Sequence, residues 1–134
     1  MSAHIKYKRG YKYQLSAPYM HYTGIKNLHV ENRFLRLYPS GLLIIRTGYA
    51  WDGASGPGLD TPNILRGSLV HDALYQLIQE GLLPLECKQI ADTLLYKICR
   101  EDGMSWIRAQ WVYRAVDIFG GSYAANNREV LFAP

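Results

Sequence analysis

The sequence predicts an α+β fold, a small antiparallel sheet in the N-terminal half packed against an antiparallel helical hairpin plus a third helix. Three observations predict it. Before Gly58 the apolar residues come in short or alternating runs set around turn residues, the period of strands. After Gly58 they recur three and four apart over long segments, the period of helices. The connections between those segments are short, so consecutive helices must run antiparallel.

Each element has its own signal. Residues 34–38 and 42–47 are apolar or alternating runs separated by Pro39, Ser40 and Gly41, which reads as a hairpin. A further strand at about residues 10–15 is expected to join the same sheet. Thr61 followed by Pro62 is a helix start, an N-cap with proline at the first helical position. Leu65, Leu69, Ala73, Leu74, Leu77 and Ile78 carry that helix to Gly81. Pro84 opens a second, through Ile90, Ala91, Leu94, Leu95 and Ile98, with Gly103 as its stop. Ser105 caps a third, through Trp106, Ala109, Val112, Tyr113 and Val116 to Gly120 and Gly121.

With 134 residues, 49% of them hydrophobic, the chain is long and apolar enough to form one packed domain over 1–134 and too apolar to be disordered. The formal net charge of +4 is partly local. Residues 4–13 alternate bases with aromatics, which suits either a nucleic-acid backbone or an edge strand whose charges discourage aggregation. The strand reading is preferred, because the patch is short and no nucleic-acid motif accompanies it. Cys87 and Cys99 fall on one expected helix, ~18 Å apart, too far for a disulfide. No run approaches a membrane span, and residues 1–13 contain no apolar stretch of the signal-peptide kind. The expectation is synthesis as a soluble protein in a cytoplasm.

The polar residues that interrupt the pattern are the candidates for chemistry. Residues 48–60 hold four glycines and a proline, a backbone able to aim several carbonyls or N–H groups at one ion, or else a plain connector. His71 and Tyr75 lie four apart on the first helix and share a face beside its apolar stripe. Asp92 lies among apolar residues of the second helix, where an unpaired carboxylate would be costly. Antiparallel packing places Asp92 opposite His71, within reach of the hydrogen bond by which an acid orients an imidazole as general base. Asp72 points about 100° away and is a candidate hard-cation ligand, together with Asp52, Gly53 and Gly56 of the glycine loop. The same His–Asp–Tyr network would also serve to fix helix register, and both readings stay open. Neither Ser55 nor Ser68 stands in the context of a nucleophile.

Three blocks carry a resemblance: residues 51–55 (WDGAS), 69–75 (LVHDALY) and 91–92 (AD). In that order they resemble the phage and bacterial family of unknown function numbered thirteen fifty-three, over about residues 33 to 103. The resemblance implies a phage or prophage origin, with synthesis in a host cytoplasm and a place in the virion left open. It implies no activity. A second, more distant likeness is to secretory phospholipases of the A-two class, which carry a glycine-rich calcium loop, a helix with His-Asp and a following Tyr, and an antiparallel helix whose Asp orients the His. That likeness implies His71 as base for an attacking water, Asp92 as its orienting acid, and Asp72 with the loop from Gly53 to Gly58 as holder of Ca2+. The chain departs from those enzymes in lacking their disulfides and the glycine spacing of their calcium loop.

Three function classes follow. The first is a calcium-assisted ester or phospholipid hydrolase using His71, Asp92 and Tyr75. The second is a noncatalytic phage protein, a virion or tail component or a host-directed binder, that contacts phage structural proteins or itself through the Tyr-rich N-terminal third and residues 126–132. The third is a metal-dependent phosphohydrolase of the His-Asp type, in which His21, His29 and Asp117 are the available further ligands; it ranks last because those sites occupy all-helical folds.

Overall fold

Among the described residues, seven short strands precede three helices, the α+β order read from the sequence. The computed structural model describes residues 7–8, 13–51 and 61–125. The strands are β1 (Tyr7–Lys8), β2 (Tyr13–Leu15), β3 (Tyr19–Tyr22), β4 (Val30–Glu31), β5 (Leu35–Leu37), β6 (Leu42–Ile45) and β7 (Ala50–Trp51). The helices are α1 (Pro62–Gln79), α2 (Cys87–Glu101) and α3 (Trp106–Ala125).

The strands form two antiparallel sheets rather than one. The larger has the order β3-β6-β5-β4, and the smaller β1-β2-β7. The expected hairpin is β5–β6, with Leu35 opposite Ile45 and Leu37 opposite Leu43. Its turn is closed by the Gly41 N–H donating to the Tyr38 carbonyl at 2.9 Å. Gly41 has φ +94°, and a Cβ there would stand 3.2 Å from the Gly24 nitrogen and the Ile25 carbonyl oxygen, so only glycine fits without strain. The expected strand near residues 10–15 exists as β2 but pairs with β1 and β7, not with the hairpin. The reason is local. Residues 16–18 include Pro18, which cannot donate to a ladder, and the chain turns from one sheet into the other there. β1 stands at an edge of its sheet, as the alternation of bases and aromatics suggests.

Alternation along β5 and β6 sends Leu35, Leu37, Leu43 and Ile45 inward, all fully buried, against Leu69, Val70, Ala73, Leu74 and Leu77 of α1. Helix α1 is buried along most of its length, because the sheets cover one side and α2 with α3 the other. Polar ties fix the sheets to it: the Trp51 indole N–H donates to Ser68 Oγ at 3.0 Å, and the Tyr49 hydroxyl donates to Gln76 Oε1 at 3.2 Å. A smaller cluster of Ile64, Leu95, Cys99, Met104, Ala109 and Val112 seals the junction of the three helices.

Helix α1 begins where expected, with Thr61 at the N-cap and Pro62 first in the helix, although the Thr61 hydroxyl donates to Asn63 Oδ1 at 2.6 Å and only its carbonyl accepts, from the Ile64 N–H at 3.0 Å. Helix boundaries differ from expectation in two places. Pro84 does not open α2; its carbonyl accepts from the Cys87 N–H at 3.0 Å in a turn, and the helix begins at Cys87. Helix α3 does not stop at Gly120 and Gly121 but runs to Ala125, since two glycines weaken a helix without ending one that has already nucleated.

At Gly67 helix α1 comes close to α2. A Cβ on it would meet Cys99 Sγ and Leu95 Cδ1 at 3.1 Å and the Leu95 carbonyl oxygen at 3.3 Å. Gly67→Ala is expected to be near neutral, because a helix-propensity gain of about 1 kcal/mol offsets the tight contact. Gly67→Val is expected to cost about 2–3 kcal/mol by overpacking, read as a lower urea midpoint. Equal midpoints for the two variants would refute the close approach.

Candidate active site

The site is built where the middle of α1 faces the first half of α2. His71 and Tyr75, one turn apart on α1, bring their rings within 4.1 Å of each other and point at α2. Asp92 answers from α2 and is completely buried, while His71 retains 7% of its surface. The antiparallel hairpin thus places residues 21 apart in sequence in direct contact, as the spacing predicts.

Asp92 is held by three donors. Its Oδ1 accepts from His71 Nε2 at 2.8 Å and from the Tyr75 hydroxyl at 2.6 Å. Its Oδ2 accepts from Lys88 Nζ at 2.7 Å. Lys88 continues the chain to α3, donating to the Asp117 carbonyl at 3.3 Å and lying 3.6 Å from Asp117 Oδ1. Lys88 was absent from the sequence-derived site, although its spacing of four from Asp92 on one helix is the signal that finds it.

The electrostatics follow from these contacts. Burial works against ionisation of Asp92, but the hydrogen bonds from His71, Lys88 and Tyr75 outweigh it and hold the carboxyl below its ordinary value. Burial likewise works against a charged His71, yet the Asp72 and Asp92 carboxylates beside it raise the imidazole above its ordinary value. Asp72 is half-exposed, and its Oδ1 lies 3.8 Å from His71 Nδ1, too long for a direct hydrogen bond, so it acts there as a nearby charge. Burial, with Asp92 as the hydrogen-bond acceptor, pushes the Tyr75 hydroxyl far up, so Tyr75 stays a donor.

Because an ionised carboxylate only accepts, the proton in the His71–Asp92 bond belongs to Nε2. In the neutral imidazole the lone pair then sits on Nδ1, on the side of Asp72. That is the tautomer a general base requires. The cysteines offer no alternative nucleophile: burial raises Cys87 and pushes the Cys99 thiol up to about 12.

Of the expected metal ligands, Asp72 is described and Asp52, Gly53 and Gly56 lie outside the described residues. Among the described residues no three His, Cys, Asp or Glu side chains gather as a metal-binding group. Asp72 has the donor chemistry a hard cation takes, a half-exposed carboxylate 3.8 Å from His71 Nδ1. Of the further ligands expected for a metal phosphohydrolase, Asp117 meets the cluster through Lys88, whereas the two histidines are engaged elsewhere. His21 Nδ1 bonds the Tyr19 hydroxyl at 3.1 Å, and His29 stacks on Tyr38.

A second buried polar group was not foreseen from the sequence. Arg66, 4% exposed, donates to Asp102 Oδ2 and Oδ1 at 3.0 and 2.9 Å, to Glu101 Oε1 at 2.7 Å and to the Tyr19 hydroxyl at 2.8 Å. Each of its three guanidinium nitrogens donates to a protein acceptor on β3 or at the C-terminal end of α2, so the group locks sheet to helices. Among the described residues no helix is long and apolar enough to cross a membrane. Compared with models of known protein families, with curated proteins and with solved structures, the chain matches none.

Proposed function

We propose that this protein is a hydrolase of esters, phospholipids among them, in which His71 is the general base for an attacking water and Asp92 its orienting acid. The observation that carries this reading is the buried Asp92 carboxylate bonded to His71 Nε2 at 2.8 Å, which leaves Nδ1 as the basic nitrogen. Tyr75 and Lys88 hold Asp92 in place and ionised, so the imidazole keeps one tautomer and one orientation. Water on Nδ1 would lose its proton to His71 as it attacks the ester carbonyl. The same proton would then pass to the leaving alkoxide. Calcium, held by Asp72 with Asp52 and the carbonyls of Gly53 and Gly56, would supply charge stabilisation for the developing oxyanion. The arrangement of His-Asp and Tyr on one helix with Asp on its antiparallel neighbour supports the phospholipase likeness.

The test is an assay on short-chain nitrophenyl esters and on mixed phospholipid vesicles, each with calcium and with chelator. His71→Gln is expected to lower turnover by ~10²–10⁴-fold, with an unchanged circular dichroism spectrum. Turnover that is equal in wild type and variant sinks the reading. Turnover unaffected by chelator removes calcium from it and leaves the dyad.

The noncatalytic reading also has an observation behind it. Its expected contact segment at residues 126–132 and most of the basic N-terminal run lie outside the described residues, but α3 exposes Trp106, Ile107, Trp111 and Ile118. A partner-binding phage protein would use such a face.

A further inference from the structure

Helix α3 has two apolar sides. Ala109 and Val112 are buried, and Val116 packs beside them against the helix junction. At 100° per residue Ile107, Trp111, Arg114 and Ile118 form a stripe on the opposite side. Ile107 is 74% exposed, Trp111 58% and Ile118 68%, with Trp106 at the rim 57% exposed. A helix apolar on both sides is the pattern of one packed between two layers, and among the described residues only the inner layer is present.

We propose that α3 pairs antiparallel with α3 of a second copy of this chain, a surface independent of the reading of the dyad. The stripe recurs at four, three and four residues, the spacing of a coiled-coil seam. A two-fold axis midway between Trp111 and Arg114 makes it self-complementary. Ile107 then faces Ile118 of the other copy at each end. In the two central layers Trp111 faces Arg114, a guanidinium on an indole ring. A parallel pairing would instead set Arg114 against Arg114 and is disfavoured by like charge. A lipid surface would receive the same stripe with a guanidinium at its centre and no ring to hold it.

The area agrees with a reversible pair. The two tryptophans and two isoleucines expose on the order of 500 Å² of apolar surface together, at the upper end of what monomers show. Two such faces would bury roughly 1,000 Å² in total, the low end for specific interfaces, so the dimer is expected to dissociate in the micromolar range.

Sedimentation equilibrium of the full chain over a concentration series tests this. The wild type is expected to pass from monomer to dimer, and Trp111→Glu with Ile118→Glu to stay monomeric with an unchanged circular dichroism spectrum. Register is read by a short bismaleimide cross-linker. Ile107→Cys mixed with Ile118→Cys should cross-link between chains, and Ile107→Cys alone should not; Cys87 and Cys99 are buried and do not compete. A chain that stays monomeric at every concentration overturns the proposal. So does a dimer indifferent to the two glutamates, cross-linking of Ile107→Cys with itself, or a monomer that sediments with anionic phospholipid vesicles through this face.

Discussion

Asp92→Ala is expected to be the most damaging single substitution in the described core, lowering stability by about 3–5 kcal/mol. The cost does not come from lost volume. It comes mainly from two buried donors, His71 Nε2 and the Tyr75 hydroxyl, that lose their acceptor, while Lys88 Nζ, partly exposed, loses its charge partner and keeps Asp117. A small domain has only about 5–15 kcal/mol to lose, so the variant stands near its unfolding limit at room temperature. Asp92→Asn keeps one acceptor oxygen but turns an amide toward Lys88, and is expected to cost less. The decisive comparison is Asp92→Leu made together with Lys88→Met, which removes the buried charge and its counter-ion at once. If desolvated charge is the cause, the double variant should be more stable in urea than Asp92→Ala, since apolar replacement of a whole buried pair is often near neutral. A loss below about 1 kcal/mol in Asp92→Ala would mean that the donors find water, and that the site is more open than its burial indicates.

The helices were legible because burial writes itself into sequence at a fixed period. Leu65, Leu69, Ala73 and Leu77 face one core and could be read with no knowledge of what covers them. The His71–Asp92 contact was legible for a related reason: a short connection forces antiparallel packing, and that fixes which residues meet. The division into two sheets was not legible, since strands of two to four residues leave too little alternation to read and their partners lie far along the chain, as with β2 and β7. Arg66 escaped for a different reason. Its neighbours on α1 are apolar and its acceptors come from α2's end and from β3, so nothing near it in sequence announces a buried guanidinium. Lys88 was readable from its spacing to Asp92 but looks like any surface lysine until the carboxylate beside it is known to be buried.

Hydrolytic competence and fold stability are expected to move in opposite directions as pH rises above neutrality. His71 has an ordinary value of 6.5 and is raised in the folded protein by the carboxylates that outweigh its burial. Its contribution to stability is therefore complete below pH 6.5 and lost as pH climbs through the raised value. Asp92, ordinarily at 3.8 and lowered in the fold, contributes above pH 3.8 and loses that contribution as pH falls through its lowered value. Both contributions are complete between pH 3.8 and 6.5, the window in which the dyad supports the fold most. A general base needs the opposite condition at His71, a neutral ring with Nδ1 free to take a proton, so turnover should rise with pH and level off only above the raised value. Nuclear magnetic resonance titration of the His71 ring reads the same quantity without a substrate, and its midpoint is expected above 6.5. Asp72→Asn should bring that midpoint down and lower stability in step where the ring is charged, with little effect at pH above the raised value, because Asp72 acts on Nδ1 across 3.8 Å. Each unit of that shift corresponds to about 1.4 kcal/mol of attraction between Asp72 and the charged ring. A midpoint at or below 6.5 in the wild type would mean that desolvation wins over the two carboxylates. The imidazole would then lose its proton at lower pH, the fold would gain nothing from protonating it, and any turnover would level off at a lower pH than with the raised value.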